Sequence, residues 1–353
     1  MKSIRMLLLA LIALVIGTAA AQAPAPVDDN GDVRMLLLAL DRQERYVQKH
    51  LRQSLRLGTR RVPAARVLDT IRELRQLTLA AHGTPQFAAE LARRFEVVAA
   101  SDRATVTAYH TPLLAVRDRP DAEFRTPILG RPPDLLDRGG RVYRRVNGQL
   151  VAPPTRAQIL DGAYDLRRLA LAWTNDPVEL YYAQIQGGAT AEYPDGRRRT
   201  LAFAGTNGQP FVSFETEFLQ RVPADQRPGG YLGVRDYLRR HPDEADRWFR
   251  LNPRYIFFRL TDEPRAGMAG ITLTAGRSIA TDKTYYSAGL VGYLAYTEPS
   301  GRAVHRLVCD ADTGAAINGP ARVDIYYGEG NARELFGTGL KVTGTLAYLL
   351  LRE

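Results

Sequence analysis

Asn318-Gly-Pro-Ala-Arg-Val-Asp324-Ile-Tyr-Tyr-Gly328 sets one carboxylate inside a β-branched and aromatic run, with a glycine near either end. Such a run reads as a buried strand between turns. An acid among apolar neighbours has its charged form disfavoured, so its pKa rises and it can hold a proton near neutral pH. That is the property a general acid for glycosidic cleavage needs. Just upstream, Leu307-Val-Cys-Asp-Ala-Asp-Thr-Gly314 places Asp312 at a strand end before a glycine turn, and Asp282 sits beside another expected strand. From Gly270 onward short strands alternate with glycine turns, ending in Thr345 to Leu351.

Toward the N-terminus the texture changes. Tyr255 to Leu260 is a strong strand, and Val234 to Leu251 is helical, restarting at His241-Pro242. Thr200 to Ala204 and the Tyr193-Pro-Asp-Gly196 turn read as a hairpin, and Val178 to Ile185 as a buried strand. Thr155 to Ala172 reads as a helix, with Thr155 as N-cap and Gln158 three residues on. Arg131 to Asp134 and Asp137 to Gly140 read as loops, Phe124 to Ile128 as a short extended piece, and Ala104 to Val116 as β-rich. From Val33 to about Ala100 the apolar spacing is helical (Leu36, Leu37, Leu40, Val47; then Ile71, Leu74, Leu77; then Phe87, Leu91, Phe95), punctuated by Pro63 and Gly83-Thr-Pro85. Helices come first and strands dominate afterwards, with no regular βαβ repeat. The fold class expected is mainly β with N-terminal helices, a barrel rather than a doubly wound sheet.

At 353 residues the chain is long enough for about two domains. Hydrophobic residues at 45% and charged residues at 24% exclude a disordered chain, and Cys309, the lone cysteine, excludes internal disulfides and multi-cysteine metal sites. The net charge of +10 is carried almost wholly by arginine. It suits an acidic polymer or an anionic surface equally with a solvated arginine-rich exterior. The densest runs, Arg60-Arg61, Arg197 to Arg199 and Arg239-Arg240, lack the interleaved aromatics of a nucleic-acid platform, so no nucleic acid is expected as partner. His50, His82, His110, His241 and His305 are scattered without ligand spacing, and neither a nucleophile elbow nor a phosphate-binding loop is present. No metal and no cofactor are expected.

Lys2 and Arg5 precede an apolar run from Met6 to Ile16 and then Gly17-Thr-Ala-Ala-Ala21, the pattern of a secretory signal peptide over residues 1–21 with cleavage after Ala21. A Pro/Ala/Asp-rich leader, residues 22–33, would follow. No cysteine follows the apolar run, so a lipoprotein anchor is not expected, and the bacterial envelope, in the periplasm, is the expected compartment.

Two further stretches carry neutral hydrogen-bonding groups beside aromatics and glycine turns: Tyr181-Tyr-Ala-Gln-Ile-Gln-Gly-Gly188 and Phe203-Ala-Gly-Thr-Asn-Gly-Gln-Pro-Phe211. Gln184, Gln186, Asn207 and Gln209 suit sugar hydroxyls and N-acetyl groups, or ordinary hairpin chemistry. Taken in order, Thr107-Ala-Tyr-His-Thr-Pro112, Arg131-Pro-Pro-Asp-Leu135, Tyr182-Ala-Gln-Ile-Gln-Gly187, Ala204-Gly-Thr-Asn-Gly208, Asn252-Pro-Arg-Tyr-Ile-Phe-Phe258, Leu273 to Asp282, Asp312 to Gly319 and Asp324-Ile-Tyr-Tyr-Gly328 resemble the membrane-bound lytic transglycosylase A (MltA) family. The last three resemble its C-terminal 3D domain, named for three aspartates.

The resemblance implies a double-psi β-barrel domain built from residues 34–112 and 252–353, a smaller β domain inserted over 113–251, and a groove between them for a peptidoglycan strand. It implies Asp324 as the catalytic acid, Asp282 and Asp312 as site support, and Tyr109, Gln184, Gln186, Asn207, Gln209 and Tyr326 as substrate-binding residues. It also implies peptidoglycan glycan strands as partner, with cell-wall synthesis or division proteins as further candidates. Asn318 and Thr206 stand where the family commonly has basic residues, Ala315 and Ser287-Ala288 also depart from its pattern, and Gly188-Ala189 replaces Ser-Gly. Two other classes remain open from residues alone: a non-catalytic glycan-binding envelope protein, and a water-using glycosidase.

Overall fold

The computed structural model of the protein describes residues 27–314, 316–330 and 339–353. The export segment, its Ala21–Gln22 junction and Ala315 lie outside them. Helix α1 (Val33–Gln48) starts at Asp32, whose carboxylate caps the Arg34 amide. A hairpin, β1 (Ser54–Leu57) and β2 (Arg60–Pro63), separates it from α2 (Ala64–Ala81) and α3 (Pro85–Arg94). The helical pattern therefore breaks at the hairpin and ends before Phe95. Phe95 opens β3 (Phe95–Thr111), whose long pairing with the C-terminal strand overrides the local helical spacing.

The insert follows: β4 (Leu113–Arg117), β5 (Thr126–Leu129), β6 (Leu135–Arg138), β7 (Arg141–Val146), β8 (Gln149–Val151), α4 (Arg156–Gln158), α5 (Leu166–Leu169), β9 (Ala170–Thr174), α6 (Pro177–Gln186), β10 (Gly188–Glu192), β11 (Arg198–Thr206), α7 (Glu215–Arg221), α8 (Gly230–Arg240), α9 (Pro242–Phe249) and β12 (Ile256–Thr261). Its main sheet has the order β12-β11-β10-β4-β9-β5, and β6-β7-β8 form a separate sheet. The capping box at Thr155 and Gln158 forms as read, but the helix breaks into short turns because Gly162 takes a left-handed φ of 96°. The loop expected at Arg131 to Asp134 precedes strand β6, whereas Asp137 and Arg138 of the expected loop Asp137 to Gly140 belong to that strand and only Gly139-Gly140 turn.

The strand expected over Val178 to Ile185 is instead helix α6. Asp176 caps the Glu179 amide, Pro177 occupies the first turn, and Gly187 closes the helix at φ 73°. The helix is buried nearly all round, which erased the polar face that would have revealed its period. It packs with α7 to α9 in an aromatic core where Tyr181 stacks on Phe249 at 4.1 Å, so the insert holds a helical sub-core beside its sheet.

The barrel strands are β3, β13 (Ser278–Thr281), β14 (Val291–Thr297), β15 (Ala303–Asp312), β16 (Arg322–Glu329) and β17 (Lys341–Leu351), closed in the order β13-β15-β14-β17-β3-β16. Closure leaves no sheet edge. The core inside is Val106, Ile279, Leu294, Val308, Val323 and Ile325, covered on one side by α1 and α2. The resemblance places the return to the barrel at residue 252. Strand β12 instead pairs with β11 from Thr206↔Ile256 to Thr200↔Thr261, so the insert sheet extends past that point and the barrel resumes at Ser278. Residues 27–32, read by composition as leader, also belong to the barrel domain. The Asp29 carboxylate is enclosed, paired with the buried Arg277 and accepting from the Leu307 amide at 2.7 Å. A buried guanidinium needs such a counter-charge, and the N-terminal segment supplies it.

Candidate active site

Strand register sets four side chains in one row across the outer wall of the barrel. Asp312 on β15 faces Ala280 on β13, Ala280 faces Asp324 on β16, and Asp324 faces Thr107 on β3. Their sequence neighbours Ile279, Val323, Ile325 and Val106 point inward to the core, as the two-residue period requires. A bulge between Ile279↔Asp310 and Ala280↔Asp312 makes Ala311 an extra residue, so Asp312 takes the place in the row that Ala311 would otherwise hold. In that row Ala280 is the one residue between the two acids.

Asp324 sits in this wall with 17% of its side chain exposed. Its Oδ1 is held by the Arg322 guanidinium at 2.8 Å and by the Thr107 hydroxyl. Arg322 also donates to the Thr107 hydroxyl at 2.6 Å, which closes a three-membered set on one oxygen. Among the described residues Oδ2 has no hydrogen-bond partner. Burial pushes the carboxyl up to about 6, Arg322 opposes this, and the nearby Asp312 charge adds to it. The acid is therefore placed to carry a proton on Oδ2 near neutral pH. Arg322 and Thr107 were missed as site residues. The signal for Arg322 was its place two residues before Asp324, on the same strand face.

Asp312 is differently engaged. Its Oδ2 accepts from the Tyr109 hydroxyl at 3.0 Å, and its Oδ1 from the amides of Met268 and Thr313 at 2.8 Å each. The Tyr109 phenol is pushed well up by its own burial and by the Asp312 charge, so it stays a donor. Tyr109 packs on Tyr326 with ring centroids 5.2 Å apart, and the Tyr326 hydroxyl bonds that of Thr111 at 2.7 Å. Both rings are buried on the outer wall beside Ala280, in an apolar cluster separate from the barrel core. Asp282 lies in a loop. Its Oδ1 accepts from the Thr284 amide and hydroxyl, and its Oδ2 from the Gly319 amide at 2.7 Å, which ties the turn after β13 to the turn that leads into β16. These hydrogen bonds hold its carboxyl below the usual range.

The amide side chains divide. Gln184 is interior: its Oε1 accepts from Arg156 at 2.6 Å and its Nε2 donates to the Ile256 carbonyl at 3.1 Å. Asn207 is fully buried, donating to the carbonyls of Pro154 and Pro253 at 2.8 Å each and accepting from the Tyr255 amide at 2.8 Å and the Gln209 amide at 3.4 Å. All its hydrogen-bonding capacity serves the insert's own backbone, so neither residue has the surface a sugar needs. The expected strand-end placement of Gln184 fails because α6 turns it inward. Gln209 is half-buried and donates to the Pro153 carbonyl at 3.0 Å. Gln186 is half-exposed at the end of α6, and its side chain makes no hydrogen bond among the described residues.

Arg265, in the connector after β12, was not singled out by sequence. Its guanidinium donates to the Gly188 carbonyl at 3.0 Å, to the Gln186 carbonyl, and to the Thr111 hydroxyl at 3.4 Å. One side chain thus joins the end of α6 in the insert to β3 of the barrel and, through Thr111, to Tyr326. A second strap runs from Glu329 at the end of β16 to the Thr190 hydroxyl at 2.6 Å and to Arg198 at 3.2 Å, both in the insert. Among the described residues no cluster of His, Cys, Asp or Glu is disposed to hold a metal ion.

With this geometry in hand, residues 105–259 match the MltA specific insert domain and residues 277–350 match the 3D domain. The chain thus carries an MltA specific insert domain and a 3D domain. It is 25% identical over 233 residues to the membrane-bound lytic murein transglycosylase A of Vibrio cholerae, covering 64% of this chain and 59% of that one, and 26% identical to the Escherichia coli protein with the same coverage. The matched stretch therefore spans about three-fifths of these relatives' length. Among solved structures, the membrane-bound lytic murein transglycosylase of Agrobacterium tumefaciens superposes with a TM-score of 0.73 at 28% identity, over 91% of this chain and 93% of that one. Escherichia coli MltA with bound chitohexaose superposes at 0.72 with 19% identity, over 95% and 94%, and shares the fold. The fold is thus a double-psi barrel with an inserted domain.

Proposed function

We propose that the protein is a peptidoglycan lytic transglycosylase in which Asp324 is the general acid and then the base. The observation that carries this reading is the contrast in the outer-wall row. Asp324 has a raised pKa and an Oδ2 without a partner among the described residues, whereas Asp312 has both oxygens engaged by three donors. A water-using glycosidase generally needs a second free carboxylate to activate water or to attack the anomeric carbon, and Asp312 is not free for that role. A substrate that brings its own nucleophile needs only one.

In the proposed step Asp324 Oδ2 gives its proton to the glycosidic oxygen between MurNAc C1 and GlcNAc O4, and the C1–O4 bond breaks. The C6 hydroxyl of the same MurNAc attacks C1, and its proton passes to the Asp324 carboxylate. The C1–O6 bond closes a 1,6-anhydro ring, the proton has moved in net from O6 to O4, and no water is consumed. The nucleophile is intramolecular, so its effective concentration is high without a protein group to activate it. Arg322 and Thr107 hold Oδ1, orient the carboxyl and stabilise the anion formed after the first transfer. Tyr109 and Tyr326 form the apolar floor beside it, and Gln186 and Gln209 are the amides with surface to offer a sugar. The export segment read at residues 1–21 would deliver the enzyme to the envelope, and Met1 missing from the envelope fraction would bear that out. Among the described residues no helix is long and apolar enough to cross a membrane.

Mass spectrometry of fragments released from purified sacculi tests the reaction. Anhydro-MurNAc ends are expected. Reducing ends heavier by one water would make the protein a hydrolase, and binding without release would make it a glycan-binding protein.

A further inference from the structure

The three-stranded sheet β6-β7-β8 has two faces, and the register assigns every residue to one of them. Leu135↔Arg144↔Val151 and Asp137↔Val142 share the inner face, whereas Leu136↔Tyr143, Arg138↔Arg141 and Arg145↔Leu150 share the other. The inner face is used. Leu135 is buried, Arg144 bonds Asp134 at 2.8 Å and lies over the Tyr164 ring, and Asp137 pairs with Arg131. The outer face presents Arg138, Arg141 and Arg145, all exposed, around Leu136, Tyr143 and Leu150.

These three arginines have no ion pair and no side-chain hydrogen bond among the described residues. Arg138 and Arg141 also stand directly opposite each other across the Gly139-Gly140 turn, a like-charge pairing that weakens a hairpin. Some exposed arginines elsewhere are answered by carboxylates, as in Arg93–Glu90, Arg198–Glu192 and Arg302–Glu298, whereas here three unpaired ones share one sheet face. The outer face carries positive charge that the described residues leave uncompensated.

Its place in the fold relates it to the barrel. Val142 seats the sheet on Gly208, where an added Cβ would lie 2.7 Å from the Val142 Cβ. Gly208 follows the end of β11. In that strand Ala202 pairs with Gly188, the residue that Arg265 ties to Thr111 of the barrel, and the strand runs four residues further to Thr206. Gly208, and the sheet on it, thus lie just beyond the end of a strand that the barrel holds at Arg198 and, through its partner Gly188, beside Ala202.

We propose that Arg138, Arg141 and Arg145 bind the free carboxylates of the peptide stems on the glycan strand; this rests on the transglycosylase reading above. The guanidinium fork matches a carboxylate in shape and charge. The stems supply carboxylates and apolar alanine methyls together, which fits arginines set around Tyr143 and Leu150. The face would read the peptide while Asp324 acts on the sugar.

The test compares peptide-bearing strands with strands stripped by an amidase, using the full-length chain and its Arg138→Gln/Arg141→Gln/Arg145→Gln variant. The variant should raise KM about tenfold on peptide-bearing strands, three exposed pairs each adding modestly, with kcat little changed and a flatter salt dependence. On stripped strands the two proteins should agree within about twofold, and a triple Lys variant should recover part of the loss. Equal loss on both substrates, no loss on peptide-bearing strands, or a charge-dependent loss of binding to phosphatidylglycerol vesicles in place of the peptide effect would overturn the proposal. Binding of an Asp324→Asn protein to the same two preparations reads the contrast without turnover. Failure of this inference and failure of the transglycosylase reading are thereby told apart.

Discussion

Asp310 and Asp324 lie on the two strands that flank β13, each beside a cation and a threonine hydroxyl, yet one end of the wall is sealed and the other is open. Asp310 points into the barrel and is fully buried. Its Oδ2 accepts from Thr281 at 2.6 Å and Tyr348 at 2.7 Å, and its Oδ1 pairs with Lys283. Burial pushes its pKa up while Lys283 and the two hydroxyls oppose that. Asp324 points outward, with Arg322 and Thr107 both on Oδ1. The two acids share residue types and neighbours, and differ in how many oxygens the protein has already committed. A carboxylate with both oxygens bonded holds structure together, whereas one with a free oxygen and a raised pKa can pass a proton.

The comparison can be broken most directly at Asp324. Asp324→Asn should cut anhydro-product release by about 10²–10⁴-fold while leaving strand binding and the fold intact. Turnover within about tenfold of the parent would move the general acid elsewhere. Asp310→Ala should show the opposite signature. Removing one partner of a buried pair leaves Lys283 and two hydroxyls without their acceptor and should cost about 3–5 kcal/mol of stability. In denaturant unfolding the midpoint should fall, while kcat of the folded protein stays within about threefold.

The pH dependence sharpens the contrast. The folded pKa of Asp324, about 6, lies above its ordinary 3.8, so the folded state binds the proton more tightly. Its contribution to stability therefore falls as pH rises between these values, by up to about 3 kcal/mol, and is constant above. Parent and Asp324→Asn should unfold alike near pH 4 and diverge toward pH 7, with the variant the more stable. Activity of the parent should decline as pH rises through about 6, because in the proposed step the acid form starts the reaction. A pH–rate profile flat from 5 to 8 would count against Asp324 as the acid.

A smaller effect is expected at the strap between domains. Arg265→Ala should raise KM about five- to tenfold with kcat changed by less than about threefold, since groove geometry and not proton transfer is disturbed. Gln186→Ala, which removes one side chain with surface beside that strap, should slow cleavage by no more than about tenfold, a single hydrogen bond being worth roughly 0.5–1.5 kcal/mol. No change for either variant would leave the insert's edge without a part in binding.

What was legible in the sequence follows from locality. The Asp324 motif could be read because an acid inside an apolar strand run is a local pattern, although Val323 and Ile325 turn to the core and only Tyr326 of these neighbours shares its face. The Thr155 cap, the Tyr193 turn and the His241-Pro242 restart were equally local. Val178 to Ile185 misled because a helix buried on nearly every side shows no polar face, although Asp176-Pro177 and Gly187 marked its ends. Gln184 and Asn207 resemble sugar ligands in sequence because amides beside aromatics look alike whether they face a groove or an interior. Only burial and the positions of Arg156, Pro154 and Pro253 distinguish the two.

By itself, then, the sequence determined that the chain is helices followed by a β-barrel half, that an acid sits in an apolar strand, and that the motif order is that of the MltA family. Tertiary structure decided which acid is free. Asp312 is silenced by Tyr109, which lies 203 residues away. Asp310 is sealed by Tyr348, and Asp324 is oriented by Thr107 across a parallel strand pair. Strand register and a one-residue bulge place these groups, and register is a property of pairing between distant segments, which no local pattern encodes.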